Sequence, residues 1–220
     1  MTAPGDPRLL AMVSERRLER LEAVLSQRLV GLTLLLEDVH DPQNMSACLR
    51  TAEAMGLQDV HVVELGVHFK PNPRITQGCD KWLDVSRHTD VDAAVATLRQ
   101  TGHRVLVTAL DATDTLDTLD FAQPTCLAFG NEKAGVTHRL RELADGTFKI
   151  PMMGFVQSFN LSVAVGICAY AAATARRHAL GCASDLPAER RATLHERWVR
   201  LACEHSEAVL AELSRRDADT

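Results

Sequence analysis

Short apolar runs alternate along this chain with amphipathic stretches of helical period, and that alternation restricts the fold more than any other feature. Leu32-Thr33-Leu34-Leu35-Leu36 is an unbroken apolar run, the pattern of a strand buried on both faces. Similar runs recur at 60–63, 105–110, 125–130 and 147–150. Between them, apolar residues spaced three and four apart predict helices over 45–55, 91–100 and 138–143. Longer helical patterns cover 6–30, 161–178 and 188–216. Strands alternating with helices give an α/β fold: a mostly parallel sheet with helices on both faces. One stretch breaks the pattern. Between Leu65 and Arg87, Pro71, Asn72, Pro73 and Gly78 interrupt a basic sequence, which predicts a loop of about 20 residues, a length that is usually functional.

Composition removes several function classes. No apolar run reaches the roughly 20 residues needed to span a bilayer, and the N-terminal MTAPGDPRLL lacks the apolar core of a signal peptide. The six cysteines form no CxxC pair and no metal-ligand spacing, which predicts a reducing, cytoplasmic setting and no metal. A net charge of -5 with 4% aromatics excludes a polycation and a base-stacking platform. The sum hides a division, however. Residues 1–30 carry five Arg against four acids, residues 176–220 eight against eight, and the stretch between them holds the whole acidic excess. The net charge therefore describes the middle of the chain and not its termini.

Three segments carry chemistry, each directly after a strand. In Asn44-Met45-Ser46-Ala47-Cys48-Leu49-Arg50-Thr51-Ala52, Asn44 stands where a helix N-cap belongs, with Arg50 six positions on. Read alone, this equally fits a capped helix with a surface arginine. Gly130-Asn131-Glu132-Lys133-Ala134-Gly135-Val136 has two glycines that let the backbone turn sharply. It is neither a P-loop nor GxGxxG, so it gives no phosphate or dinucleotide fingerprint, and read alone it equally fits a plain strand-to-helix turn. Ile150-Pro151-Met152-Met153-Gly154-Phe155-Val156-Gln157-Ser158-Phe159-Asn160 is an irregular loop before a helix that is apolar all round and rich in small residues. Such a helix belongs in a core or a subunit interface.

Taken together, NxSAxxRTA, GNEKxG and IPMxGxxQSxNxSVAxxI, in that order, resemble the signature of the SPOUT class of methyltransferases, and within it the TrmH branch. The stretch Pro71-Asn72-Pro73 through Gly78-Cys79-Asp80-Lys81-Trp82-Leu83-Asp84-Val85 is similar to that branch's own loop. The resemblance implies a C-terminal deep trefoil knot (about 105–175) in a methyltransferase domain at 31–178. An N-terminal helical extension (1–30) and a C-terminal helical tail (179–220) flank it. It implies transfer of a methyl group from S-adenosylmethionine to the ribose 2'-OH of a tRNA guanosine, at position 18 in the D-loop. It further implies a homodimer through the knot-bearing helix, with no DNA and no membrane partner.

Residue by residue, the resemblance assigns cofactor contacts to Thr108, Ala109, Leu110, Gly130, Ile150, Val156, Ser158 and Phe159, mostly through main-chain groups. Phe159 replaces the family's usual Leu. It assigns catalysis to Arg50, with Asn44, Glu132, Ser158 and Asn160 orienting it or lining the site, Glu132 by a bidentate ion pair to Arg50. A guanidinium does not deprotonate in proteins, so Arg50 is expected to hold an RNA phosphate and lower the pKa of the 2'-OH, with phosphate or water taking the proton. RNA contact is expected from Arg8, Arg16, Arg17, Arg20, Lys70, Arg74, Lys81, Arg190, Arg191 and Arg197, with Arg200 beside them. The same motifs leave open 2'-O-methylation of rRNA or of another tRNA position, and a catalytically inactive knotted RNA-binding protein.

Overall fold

A computed structural model of the chain describes residues 7–66 and 70–203, with side chains from Leu9 onward. In order, the elements are α1 (Pro7–Leu10), α2 (Glu15–Leu25), β1 (Leu32–Glu37), α3 (Pro42–Ala54), β2 (Asp59–Val63), α4 (Pro73–Thr76), β3 (Asp84–His88), α5 (Val91–Gln100), β4 (Arg104–Thr108), β5 (Asp114–Thr115), β6 (Thr125–Phe129), α6 (His138–Leu143), β7 (Gly146–Lys149), α7 (Leu161–Leu180) and α8 (Ala188–Ala202). The chain divides into two compact units, one holding α1, α2 and α8 and the other spanning Leu29–Cys182.

In the larger unit seven strands, all parallel, lie in the order β3-β2-β1-β6-β4-β7-β5. β1 sits between β2 and β6 and is buried along its whole length, as its continuous apolar run requires. Period-two alternation then sends its side chains to two cores. Leu32, Leu34 and Leu36 join α3 and α7 residues such as Leu49 and Val165 on one face. Leu35 joins Val95 and Leu98 of α5 and Leu140 of α6 on the other. The α/β reading therefore holds, helices on both faces included.

β6 follows β4 in sequence but inserts between it and β1. The connection from β4 to β6 lies over α7: Leu116 and Phe121 share the core of Leu161, Val165 and Cys168, and the buried Arg176 guanidinium donates to the carbonyls of Phe121 and Ala122. The chain leaving β7 thus passes beneath that connection to form α7, the threading that a trefoil knot requires. Few chains do this.

Several boundaries differ from those the sequence predicts. The helix expected over 6–30 is two helices, because Ser14 is extended (φ -60, ψ 145) and restarts the helix at Glu15. The described part of the C-terminal helix ends at Ala202, and the predicted stretch beyond 203 lies outside the described residues. The loop expected over 65–87 contains α4, a 3-10 turn at Cys79–Trp82 and the edge strand β3. That strand was hidden because Asp84, Ser86, Arg87 and His88 give it no apolar run, and it pairs with β2 alone. Its His88 stacks on the buried His61 of β2, with Nδ1 of His61 3.0 Å from Nε2 of His88. Burial pushes the His61 imidazole down to about 4, with His88 and His103 adding to the effect.

The smaller unit is held by Leu21 and Leu25 of α2 and by Leu194, Trp198 and Val199 of α8, all buried. Arg28 is buried with its guanidinium over the Trp198 ring, 4.9 Å from the centroid. Glu22 meets both Arg191 and His195.

Candidate active site

Because every strand runs the same way, the C-terminal ends of β1, β6, β4 and β7 share one edge of the sheet, where open α/β sheets bind ligands. The three motif segments leave from that edge. α3 starts there at Pro42, with Asp41 as its N-cap accepting the Gln43 N–H at 2.8 Å. Asn44 is therefore not the N-cap expected from the sequence. Pro42 at the first helical position, pre-set for helix, moves the start back by three residues. That frees the Asn44 side chain to act across the site. It donates from Nδ2 to Glu132 Oε1 (2.9 Å) and accepts at Oδ1 from Asn160 Nδ2 (3.2 Å). Asn160 in turn caps α7, its Oδ1 accepting from the Ser162 N–H and hydroxyl. One side chain of α3 thus joins all three segments.

Arg50 stands apart from this network. Six residues beyond Asn44, it lies about 9 Å further along α3 and about 120° around its axis. Its exposed guanidinium donates from Nη1 to the Ile75 carbonyl of α4 at 3.4 Å. The expected Glu132–Arg50 ion pair is not formed, because the Glu132 carboxylate reaches Asn44 instead. The loop bearing α4 is tied to α3 a second time, through the Asn72 N–H donating to the buried Ser46 hydroxyl.

The loop from Gly130 to Thr137 is closed on itself by Asn131 N–H to Gly135 O (3.0 Å) and Gly135 N–H to Asn131 O (2.8 Å). Asn131 Oδ1 accepts the N–H groups of Lys133 and Ala134. A Cβ at Gly130 would lie 2.1 Å from the Gly135 carbonyl, so no side chain fits there. Gly135 takes φ +71, a conformation natural to glycine. Beneath Asn44, burial and the nearby Glu132 push the Cys48 thiol up to about 12, which removes thiolate chemistry from the site.

Of the residues assigned to the cofactor, Thr108, Gly130 and Ile150 stand at or just beyond the ends of three adjacent strands, β4, β6 and β7, and Val156, Ser158 and Phe159 lie on the loop that follows β7. Thr108 closes β4, its hydroxyl donating to the Ala128 carbonyl, and the Ala109 N–H is spent on the Phe148 carbonyl. Gly130 is buried and Ile150 half-buried, while Leu110, Val156, Ser158 and Phe159 are exposed. Around them the 151–160 loop turns Met153 and Phe155 fully outward. Ser158 lies on the same loop, two residues before Asn160.

The basic residues divide. Arg16, Arg17 and Arg20 are exposed along α2, and Lys70, Arg74 and Lys81 are exposed on the 70–83 stretch, Lys81 over the Trp82 ring. Arg190 and Arg197 are half-buried, Arg191 pairs with Glu22 and Arg200 with Glu196. The Arg8 side chain lies outside the described residues. Among the described residues no cluster of His, Cys, Asp or Glu is arranged to hold a metal ion. No helix there is long and apolar enough to cross a membrane.

Sequence reasoning missed Asp41, Asn131, Glu37 and Thr137, the last two joined by hydrogen bonds at 2.6 and 2.8 Å. The signal available was an acid ending an otherwise apolar strand.

Residues 31–170 match the model of the SpoU rRNA Methylase family. A Thermus thermophilus tRNA (guanosine(18)-2'-O)-methyltransferase is 41% identical over 161 residues, 72% of this chain and 82% of that protein. The crystal structure of the A. aeolicus TrmH/SpoU tRNA modifying enzyme superposes with a TM-score of 0.77 at 32% identity, over 84% of this chain and 95% of that one. The SpoU methyltransferase AviRb from Streptomyces viridochromogenes, solved in complex with the cofactor AdoMet, gives a TM-score of 0.60 at 28% identity, over 70% of this chain and 62% of that one.

Proposed function

Since the chain belongs to the SpoU rRNA methylase family, we propose that it methylates the ribose 2'-OH of guanosine 18 in tRNA, with S-adenosylmethionine as donor. The observation that carries this reading is the Glu132–Asn44–Asn160 chain of hydrogen bonds. It fastens the three motif segments together at the sheet edge, on the helix that also bears Arg50.

The residues fit the cofactor. Gly130 lacks the side chain that would collide with the Gly135 backbone, so the loop closes tightly at the end of β6, where the resemblance places a main-chain contact to the cofactor. The neighbouring strand ends lead into 108–110 and 150–159, stretches rich in apolar residues and main-chain groups, which suits a nucleoside held without a dedicated charge. When bound, the cofactor supplies an already activated methyl group. The chain's own residues then align the acceptor hydroxyl and stabilise the charge that develops on it. Arg50 holds an RNA phosphate beside the ribose and favours the alkoxide, its own proton staying in place while the 2'-OH proton passes to that phosphate or to water. Asn44, oriented from both sides, fixes the surface over which the ribose lies.

Exposed Arg16, Arg17, Arg20, Lys70, Arg74 and Lys81 supply phosphate contacts. Arg190, Arg191 and Arg197 serve chiefly inside the smaller unit. Val163 and Tyr170 are large apolar side chains exposed on α7, which supports a homodimer packed on that helix. The reading also implies a cytoplasmic enzyme. Label transfer from tritiated S-adenosylmethionine to an unmodified tRNA transcript tests it. Incorporation should vanish when the guanosine at position 18 carries a 2'-deoxyribose. Undiminished label on that substrate, or none on the intact transcript, overturns the assignment.

A further inference from the structure

Glu37 ends β1 at 1% exposure, in a strand whose other residues are Leu and Thr, and no step above uses its carboxylate. Its Oε2 accepts the Thr137 N–H at 2.8 Å and its Oε1 accepts the Thr137 hydroxyl at 2.6 Å. The Thr137 hydroxyl oxygen itself accepts the Leu140 N–H as the cap of α6, so its hydrogen is committed to Glu37. The next residue, Asp38, sits at φ +49 and turns its carbonyl to Asn131 Nδ2 at 2.9 Å. Consecutive residues at the end of β1 therefore grip both ends of the 130–137 loop. Between the two grips lies Glu132, which holds Asn44, and Gly130 directly precedes the first.

Burying a carboxylate is costly, and mere stability is as well served by an apolar residue in an apolar strand. What an apolar residue, or an amide, cannot supply is two acceptor oxygens aimed at two donors of one residue. Burial raises the acid's pKa, and both Thr137 bonds act against that rise. We infer that Glu37 is a positioning residue for methyl transfer: its grip on Thr137 sets where Glu132 meets Asn44 and where the Gly130 main chain faces the cofactor. This rests on the proposed function for the meaning of the site, while the loop geometry stands on its own.

The test is a set of four variants, Glu37→Gln, Thr137→Ser, Thr137→Val and the Glu37→Gln/Thr137→Val double, measured for kcat, KM for tRNA, S-adenosylmethionine Kd by calorimetry, and Tm. Glu37→Gln is isosteric but turns a donor toward donors. It should lower kcat and weaken cofactor binding, together by about 30-fold, with KM for tRNA within about twofold. Thr137→Ser keeps the hydroxyl and should stay within about twofold of wild type. Thr137→Val should lose about 10-fold or more, and the double variant should be no worse than Glu37→Gln. If Glu37→Gln fails to fold, the Ser/Val contrast at 137 carries the same prediction. Wild-type kcat and Kd in Glu37→Gln, or equal behaviour of Thr137→Ser and Thr137→Val, overturns the inference. A wild-type protein inactive on tRNA whose cofactor Kd still responds to Glu37→Gln refutes the substrate assignment and upholds the loop role.

Discussion

Asn160 donates from Nδ2 to Oδ1 of Asn44 at 3.2 Å across 116 residues of chain. One asparagine is the cap of α7 and the other lies in the first turn of α3. The contact brings the end of the threaded segment to the helix that carries Arg50, so the site is complete only when the chain has passed through. Each consequence below is open to measurement.

Arg50→Ala should remove turnover, by about a thousandfold or more, and leave the Kd for S-adenosylmethionine within about twofold. Among the described residues Arg50 donates to the Ile75 carbonyl, at 3.4 Å, and to none of the groups assigned to the cofactor. Calorimetry beside single-turnover kinetics decides the matter. Methylation near the wild-type rate would remove Arg50 from the mechanism.

Gly130→Ala forces a methyl group to within 2.1 Å of backbone atoms of Gly135. The loop must open, at a cost on the order of 3 kcal/mol or more in stability, and cofactor binding should be lost with it. Gly154→Ala makes the control, since nothing lies within 4 Å of a Cβ there. Urea midpoints for the two variants should separate clearly.

His61 stays neutral in the fold because burial holds its imidazole down to about 4, against 6.5 when free. The unfolded chain binds that proton first, so stability is full above about pH 6.5 and declines as the pH falls toward 4. Between pH 7.5 and 5.0 the loss from this group should be about 2 kcal/mol. His61→Gln should flatten that part of the urea-midpoint profile. Parallel profiles for the two proteins would refute the assignment.

Replacing Arg16, Arg17 and Arg20 together by Gln should weaken tRNA binding without changing cofactor affinity. If each meets a phosphate, the slope of log K against log salt should become shallower by about 2. An unchanged slope would move RNA contact to the 70–83 stretch. The charges on α2 would then serve as a solvated face only.

The sheet and its two cores were readable because a parallel sheet needs continuous apolar runs, and Leu32–Leu36 supplies one that no helix or surface strand explains. β3 was not, since Asp84, Ser86 and Arg87 carry no apolar signal at an edge paired on one side. Asn44, Glu132 and Asn160 could be singled out from their motifs, but the hydrogen bonds that join them could not. Spacing along α3 shows that Asn44 and Arg50 point differently, yet which of them meets Glu132 depends on a loop folded by Asn131 and Glu37. Those contacts span 93 to 100 residues, and no local pattern encodes them. For a related reason the charge on α8 is visible in sequence, while the partner that Arg191 finds in Glu22 on another helix is not.

The passage of α7 beneath the β4–β6 connection has a consequence for how the protein is made and unmade. Everything beyond Cys182 has to follow α7 through before α8 can settle against α2, so the unit that holds the N-terminus closes last although half of it leaves the ribosome first. Contacts can be lost with the thread still in place, and only untying requires the chain beyond α7 to be withdrawn through the opening. Arg176, fastened to Phe121 and Ala122, is the bolt on that opening. The thread is thus a kinetic feature of the fold, separate from the equilibrium strength of its core.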